Sequence, residues 1–286
     1  MQKKQVSLMI NSTFYDMFSE YLLFVKEIYP ELWEICREHD IELLYRDVAF
    51  SVPEESFNKS IILQDLRCID EDRTFFICFR GQRLGWRPCP RDVGSVVLRE
   101  YPETVDYICN VSITELAILH ALRPFAKCVE GNITQLPPAK HALFYFRKQD
   151  YLQDLGDDDK LGYINKSNGK DKEVLDLEIA KAKDIIFDIK QEFDMDEYDH
   201  YIEIREYDAK WDASLNQKDL MMEYIREYEK LHGVSLDYFV GVHEEYVCEK
   251  SNGGLSDLTY EDKKLKDVIV EDILCALKME FPENFS

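Results

Sequence analysis

Thr74-Phe-Phe-Ile-Cys-Phe79 is an unbroken apolar run, with Arg80-Gly81-Gln82-Arg83-Leu84-Gly85-Trp86-Arg87-Pro88 directly behind it. A run that is apolar at every position, not at alternate ones, predicts a central parallel strand buried on both faces. The glycine- and proline-bearing segment after it predicts a tight turn and then a loop. Three similar runs lie along the first half: Val6-Ser-Leu-Met-Ile10, Ile41-Glu-Leu-Leu-Tyr45 and His141-Ala-Leu-Phe-Tyr-Phe146. Between them come helical patterns. Met17, Tyr21, Phe24, Val25, Ile28, Leu32, Ile35 and Cys36 recur at helical spacing, with Pro30 expected to kink or divide the helix. A second helix is expected over 57–69. A third, over 116–122, opens on Ser112-Ile-Thr-Glu115 and stops at Pro124.

Strands alternating with helices predict an α/β fold: an open, doubly wound, mainly parallel sheet flanked by helices. In such sheets ligands sit at the carboxyl ends of the strands, so the loops after Ile10, Tyr45, Phe79 and Phe146 should gather at one edge. We expect this sheet domain over 1–155, an exposed charged loop or insertion over 156–171, and an acidic, mostly helical carboxyl-terminal extension over 172–286 packed on the same domain. Within that extension, 201–207 alternates like a half-buried strand. Helices are expected over 172–193, 218–232 and 263–281, and a polar loop is expected between Pro88 and about Asn110.

The 286 residues carry a net charge of −22. Residues 151–286 hold 17 Lys+Arg against 35 Asp+Glu, and so −18 of that total. A surface this acidic repels phosphate backbones, which argues against a nucleic-acid partner and favours a basic protein partner. No stretch of eighteen apolar residues exists to span a membrane, and the first residues lack the apolar core of a secretory signal. The eight cysteines show no CxxC pair and no ligand-like spacing with histidines, which predicts free, mostly buried thiols, no metal site and a cytoplasmic location. The acid clusters at 157–159 and 194–199 lack the pattern of an EF-hand. No GxxxxGK[ST] sequence is present, so the chain contains no P-loop.

Several segments, in order, resemble the domain that precedes NACHT ATPase modules in nephrocystin-type, telomerase-associated and NACHT–WD-repeat proteins. VSLMINSTFYD (6–16) resembles its opening strand and S-S-T-F-x-D-M turn. Residues 28–32 resemble its hFPEL helix, FFICFRGQRLGWRP (75–88) its FFIGLLGxRYGWxP, 112–121 its S-x-T-E helix, 142–147 its A-x-F-Y-F-R, and 268–282 its closing helix. One departure is clear. Where the family has D-x-R-W-G-I after the second strand, this chain reads Arg46-Asp47-Val-Ala-Phe-Ser-Val52, keeping the aspartate and losing Arg-Trp-Gly.

The resemblance implies a flavodoxin-like or TIR-like sheet, and a chain corresponding to the amino-terminal domain alone. It also implies a non-catalytic interaction or regulatory module in signalling or scaffold assembly, working without a cofactor. The implied partners are proteins: a NACHT-type ATPase, a basic protein or further copies of the chain. The alternative implied by the likeness to TIR domains is a NAD-cleaving enzyme. There Glu115 would be the catalytic carboxylate, with Ser12, Asp47, Arg83 and Trp86 contacting the ligand. A third reading binds a nucleotide without cleaving it. Read from the residues alone, Ser112 and Glu115 form a capping box, which accounts for the glutamate without catalysis.

Overall fold

In a computed structural model the described residues are 4–47, 57–71, 73–123, 126–129, 132–135, 139–164, 169–192, 200–236 and 253–286. The loop holding Pro53 and the acid cluster at 194–199 lie outside them. The strands are β1 (Gln5–Asn11), β2 (Glu42–Asp47), β3 (Thr74–Arg80), β4 (Ala126–Val129), β5 (Asn132–Gln135), β6 (His141–Arg147), β7 (Tyr201–Asp212), β8 (Gly254–Tyr260) and β9 (Lys263–Lys264). They form one seven-stranded sheet ordered β2-β1-β3-β6-β7-β8-β9, and the β4–β5 hairpin stands apart as a two-stranded sheet. The first five strands are parallel, and β8 and β9 join antiparallel at one edge. Setting the hairpin aside, the parallel strands run 2-1-3-4-5, the doubly wound order whose switch point lies between β1 and β3. All four apolar runs are therefore neighbours in one layer, as expected. The carboxyl-terminal third adds three strands to that layer as well as helices.

Every residue of β3 and β6 is buried, whereas β2 at the edge alternates between buried and half-buried. The pleat sends Leu8, Ile10, Phe75, Ile77, Phe79, Leu143 and Tyr145 to one face. Met9, Phe76, Cys78, Ala142, Phe144 and Phe146 go to the other. The first face is covered by α1 (Phe18–Leu23), α2 (Tyr29–Glu38), α8 (Gln217–His232) and α9 (Leu265–Glu280). The second is covered by α3 (Phe57–Asp70), α5 (Ile113–Leu122) and α7 (Lys170–Glu192). Between α1 and α2 lies a π turn at Phe24–Ile28, with Pro30 in the first turn of α2. The proline ring clashes with the carbonyl four residues earlier, and the wider π turn relieves that clash.

Two segments expected to be loops are helical. Between Pro88 and Asn110 run a short 3-10 turn, α4 (Ser95–Glu100) and a second 3-10 segment at Pro102–Asp106. Val93, Val97, Tyr101, Ile108 and Val111 tie this stretch to α3 and α5. In the charged stretch after Leu155, residues Asp157–Tyr163 form α6, because Tyr163 is buried with Tyr151 and Leu155 and docks the segment.

Candidate functional site

The loops after β1 and β3 meet at the switch point. Ser12 is half-buried and lies 2.7 Å from the Tyr21 hydroxyl, and its Oγ accepts the Phe14 N–H at 3.2 Å. Phe14 is held at φ 59°, so the hydroxyl stabilises a backbone bend that few residues adopt. Gly85, at φ +79°, lies against Thr13 and Thr114, which brings the β3 loop onto both the β1 loop and the start of α5.

Beneath these loops sits a buried ion cluster. The Arg147 guanidinium, at the end of β6, donates to Asp16 Oδ2 at 2.9 Å, the Asp16 carbonyl at 2.8 Å and Glu20 Oε1 at 2.7 Å. All three side chains are fully buried. Tyr207 donates to the same Glu20 oxygen at 2.7 Å, and the Tyr151 and Tyr163 rings lie beside the guanidinium at 5.1 and 5.5 Å. Gly81 is required here by space, since a Cβ would collide with Arg147 Nη2, Asp16 Oδ2 and Met17 Cε. Three separate motifs (the aspartate after β1, the glycine after β3, the arginine ending β6) thus meet in one cluster.

A second cluster lies on the other face. Arg80 Nη2 donates to Glu178 Oε2 at 3.0 Å, and both side chains are buried. Glu178 of α7 also accepts the Ser112 N–H at 3.1 Å and the Ser112 hydroxyl at 2.9 Å. Ser112 caps α5 as expected, its Oγ accepting the Glu115 N–H at 3.2 Å. The expected capping box is corrected in its second half: the returning carboxylate comes from Glu178, 66 residues away, and not from Glu115. Glu115 itself is 1 % exposed, and its Oε1 has no hydrogen-bond partner among the described residues. Burial and the nearby Glu178 carboxylate push its carboxyl up to about 7, with Arg80 and Lys181 acting against the rise.

Asp47 ends β2 buried, 2 % exposed, and accepts the Tyr224 hydroxyl at 2.6 Å. Tyr224 also hydrogen-bonds Tyr45 at 2.7 Å and stacks on Tyr21 at 4.7 Å. Asp65 of α3 is buried, and burial with the Asp47 charge raises its carboxyl to about 8. Arg83 donates to the Gly162 carbonyl at 3.2 Å and lies over the Tyr15 ring. Trp86 is 39 % exposed, and its backbone carbonyl accepts the Ile113 N–H at 2.9 Å. The residues singled out in the sequence therefore share the carboxyl edge but not one pocket. Ser12 and Asp47 both reach the tyrosine group, Glu115 sits with Arg80 and Glu178, and Arg83 and Trp86 point elsewhere.

The cleft at this edge lies beside them. It holds about 110 Å³ between Gln82 and Leu84 after β3, Gln149 and Leu152 after β6, Ile164, and Asp171, Lys172, Leu175 and Asp176 of α7. Neither Glu115, Ser12, Arg83 nor Trp86 lines it. Among the described residues no group of three or more metal-ligating side chains comes together, and no helix is long and apolar enough to cross a membrane.

Glu20, Asp65, Glu178 and Asp272 are buried acids that the sequence reading missed. Asp272 of α9 accepts from Tyr145, Tyr201 and Arg205 at 2.9 to 3.1 Å, tying α9 to β6 and β7. Each of these acids lies on the apolar stripe of its helix, one signal that could have flagged it.

No protein-family profile and no solved structure matches the chain. Among curated proteins, telomerase protein component 1 of Mus musculus is 28% identical over 167 residues, which is 57% of this chain and 6% of that protein. The Rattus norvegicus protein of the same name is 27% identical over 167 residues. A TPR repeat-containing protein of Dictyostelium discoideum is 26% identical over 196 residues, 63% of this chain and 11% of its own length. The chain thus matches a small part of each of these far longer proteins, and it is similar to telomerase protein component 1 over somewhat more than half of its own length.

Proposed function

We propose that this chain is an interaction or regulatory module of the NACHT-associated type, a scaffold domain without catalytic chemistry. The observation that carries the reading is how the motif residues are used. Asp16, Gly81 and Arg147 close one buried cluster, and Arg80, Ser112 and Glu178 close another. The edge where a doubly wound sheet would hold a ligand is thus largely filled by the protein's own side chains. The segments that define the resemblance then specify a rigid platform, and partner choice falls to the surface around it. Similarity to a telomerase protein component and to a TPR repeat-containing protein supports a role inside a large assembly. The acidic surface favours a basic partner, and a NACHT-type ATPase or a further copy of the chain would serve the same role.

The second reading is cleavage of NAD by Glu115, with Ser12, Asp47, Arg83 and Trp86 around the ligand. It is favoured by one observation, a buried carboxyl with an unpartnered oxygen and its pKa raised to about 7. Against it stands the burial of Glu115, only 1 % exposed, and the cleft between the β3 loop, the β6 loop and α7 is not lined by it.

Incubating the purified chain with NAD, alone and fused to a dimerising coiled coil, separates the two. The module reading expects no nicotinamide release in either form. It also expects in-cell cross-linking through the lysines of α7 to recover a defined protein partner. Release that is abolished by Glu115→Gln, with the thermal melt preserved, overturns it.

A further inference from the structure

We propose that the cleft between the β3 loop, the β6 loop and α7 receives a lysine or arginine side chain from a basic protein partner; this names the partner chemistry of the module reading and rests on it. The floor is apolar, made by Leu84, Leu152, Ile164 and Leu175, and suits the methylene stem of a long cationic side chain. The rim is acidic. From Gln149 to Asp176 the sequence carries eight acidic residues and four lysines. Two of these lysines are already engaged, Lys172 with Asp176 at 2.6 Å and Lys160 with Asp157 at 3.6 Å, and Lys148 just before the stretch pairs with Asp208 at 2.8 Å. Asp150, Asp154 and Asp171 form no ion pair among the described residues, and Asp171 lines the cleft.

Size argues the same way. About 110 Å³ is well below the roughly 300–1,000 Å³ of pockets that enclose drug-sized ligands. It suits one side chain and not a dinucleotide. An anion would meet the carboxylates of the rim with no unpaired cation among the lining residues to receive it. The site is also held in shape before any partner arrives. Gln82 accepts the Tyr151 hydroxyl at 2.7 Å and donates to the Arg147 carbonyl, which fixes the β3 side of the cleft to the buried Arg147 cluster. A pre-formed cleft spares the partner the cost of ordering it.

The test is a fluorescence anisotropy titration of the full chain with a fluorescein-labelled decapeptide rich in lysine and arginine. Its uncharged counterpart carries homocitrulline and citrulline at the same positions. The charged peptide should bind saturably and the uncharged one at least about tenfold more weakly, with the affinity falling as salt is raised. Asp171→Lys at the rim and Leu152→Trp in the half-buried wall should each weaken binding about tenfold. Glu261→Lys, on the far β8–β9 turn, should leave it unchanged apart from a small general charge effect. Circular dichroism melts establish that each variant is folded, and the rim variant keeps the test valid if the wall variant is not. Equal binding of the two peptides, wild-type affinity in both cleft variants, no saturable binding at all, or a dimer that Leu152→Trp dissociates would each overturn the proposal. Nicotinamide release overturns the module reading instead, so the two failures are distinguishable.

Discussion

The Arg147 and Arg80 clusters present the same ingredients and resolve them differently. Each buries one guanidinium against two carboxylates. Around Arg147, Asp16 and Glu20 are both bonded to the guanidinium, Tyr207 adds a further donor, and two aromatic rings flank the cation. Around Arg80, Glu178 takes the guanidinium and both donors of Ser112, and Glu115 is left with a bare oxygen. Glu20 also keeps one oxygen without a partner among the described residues, but its other oxygen is bonded directly to the guanidinium, whereas burial and the neighbouring Glu178 charge raise the Glu115 carboxyl to about 7. The first cluster is therefore a permanent joint, and the second is a joint with a titratable neighbour.

The largest expected effect comes from breaking the permanent joint. Arg147→Met strands Asp16 and Glu20 in the core and should cost about 3–5 kcal/mol, read as a lower urea midpoint at unchanged slope. Replacing Asp16, Glu20 and Arg147 together by apolar residues of similar volume should recover most of that loss, because no charge is then left unpaired. A triple variant as unstable as Arg147→Met would show that packing, not charge pairing, holds the cluster. Gly81→Ala, which forces a methyl into the same space, should cost about 1–3 kcal/mol.

The titratable neighbour should appear in the pH dependence of stability. The Glu115 carboxyl titrates near 4.5 when unfolded and about 7 when folded. Below 4.5 both states hold the proton and burial adds no ionisation cost. Between 4.5 and 7 only the folded state holds it, so stability falls as pH rises, by up to about 3 kcal/mol. Above 7 the full cost persists. Glu115→Gln removes the ionisable group, so it should be more stable than wild type at pH 8 and should flatten this part of the profile. Asp65, raised to about 8 by burial and Asp47, imposes a slope of the same sign that extends further up in pH. The Glu115→Gln and Asp65→Asn profiles should therefore part between pH 7 and 8. A Glu115→Gln profile parallel to wild type would mean that Glu115 is ionised throughout, and the comparison would fail.

The layer of strands was legible in the sequence because burial on both faces writes apolar residues at every position of β3 and β6. The motif letters Asp16, Gly81 and Arg147 were legible too, as parts of a resemblance, but their meeting was not. Three segments must be stacked in the order β1-β3-β6 before they touch, and that order is tertiary information. Glu178 shows the limit most clearly. It stands three residues after Leu175 and four before Ala182, both buried, so it lies on the stripe that faces the sheet. That position on the stripe is its one mark, and it is a weak one in a helix as rich in acids as this. The capping box misled for a related reason. Ser112 and Glu115 have the right spacing, but a carboxylate from α7 outcompetes the local one for the Ser112 N–H. The short helices between Pro88 and Asn110 lack the turns needed to display a period.

Smaller effects sharpen the contrast between buried and exposed charge. Ser112→Ala removes the α5 cap and one donor to Glu178, and should cost about 1–2 kcal/mol by chemical denaturation. The Arg67–Glu100 pair between α3 and α4 has geometry as good as that of any buried pair here, with guanidinium nitrogens at 2.8 to 3.0 Å from both carboxylate oxygens. It differs in exposure, since 53 % of the Arg67 side chain and 33 % of Glu100 remain in water. Water already solvates both ions, so their union gains little and breaking it strands no charge. Arg67→Met should change stability by less than about 1 kcal/mol, and the difference should shrink further in molar salt. A cost near that of Arg147→Met would mean that hydrogen-bond geometry, and not removal from water, sets the strength of ion pairs in this protein.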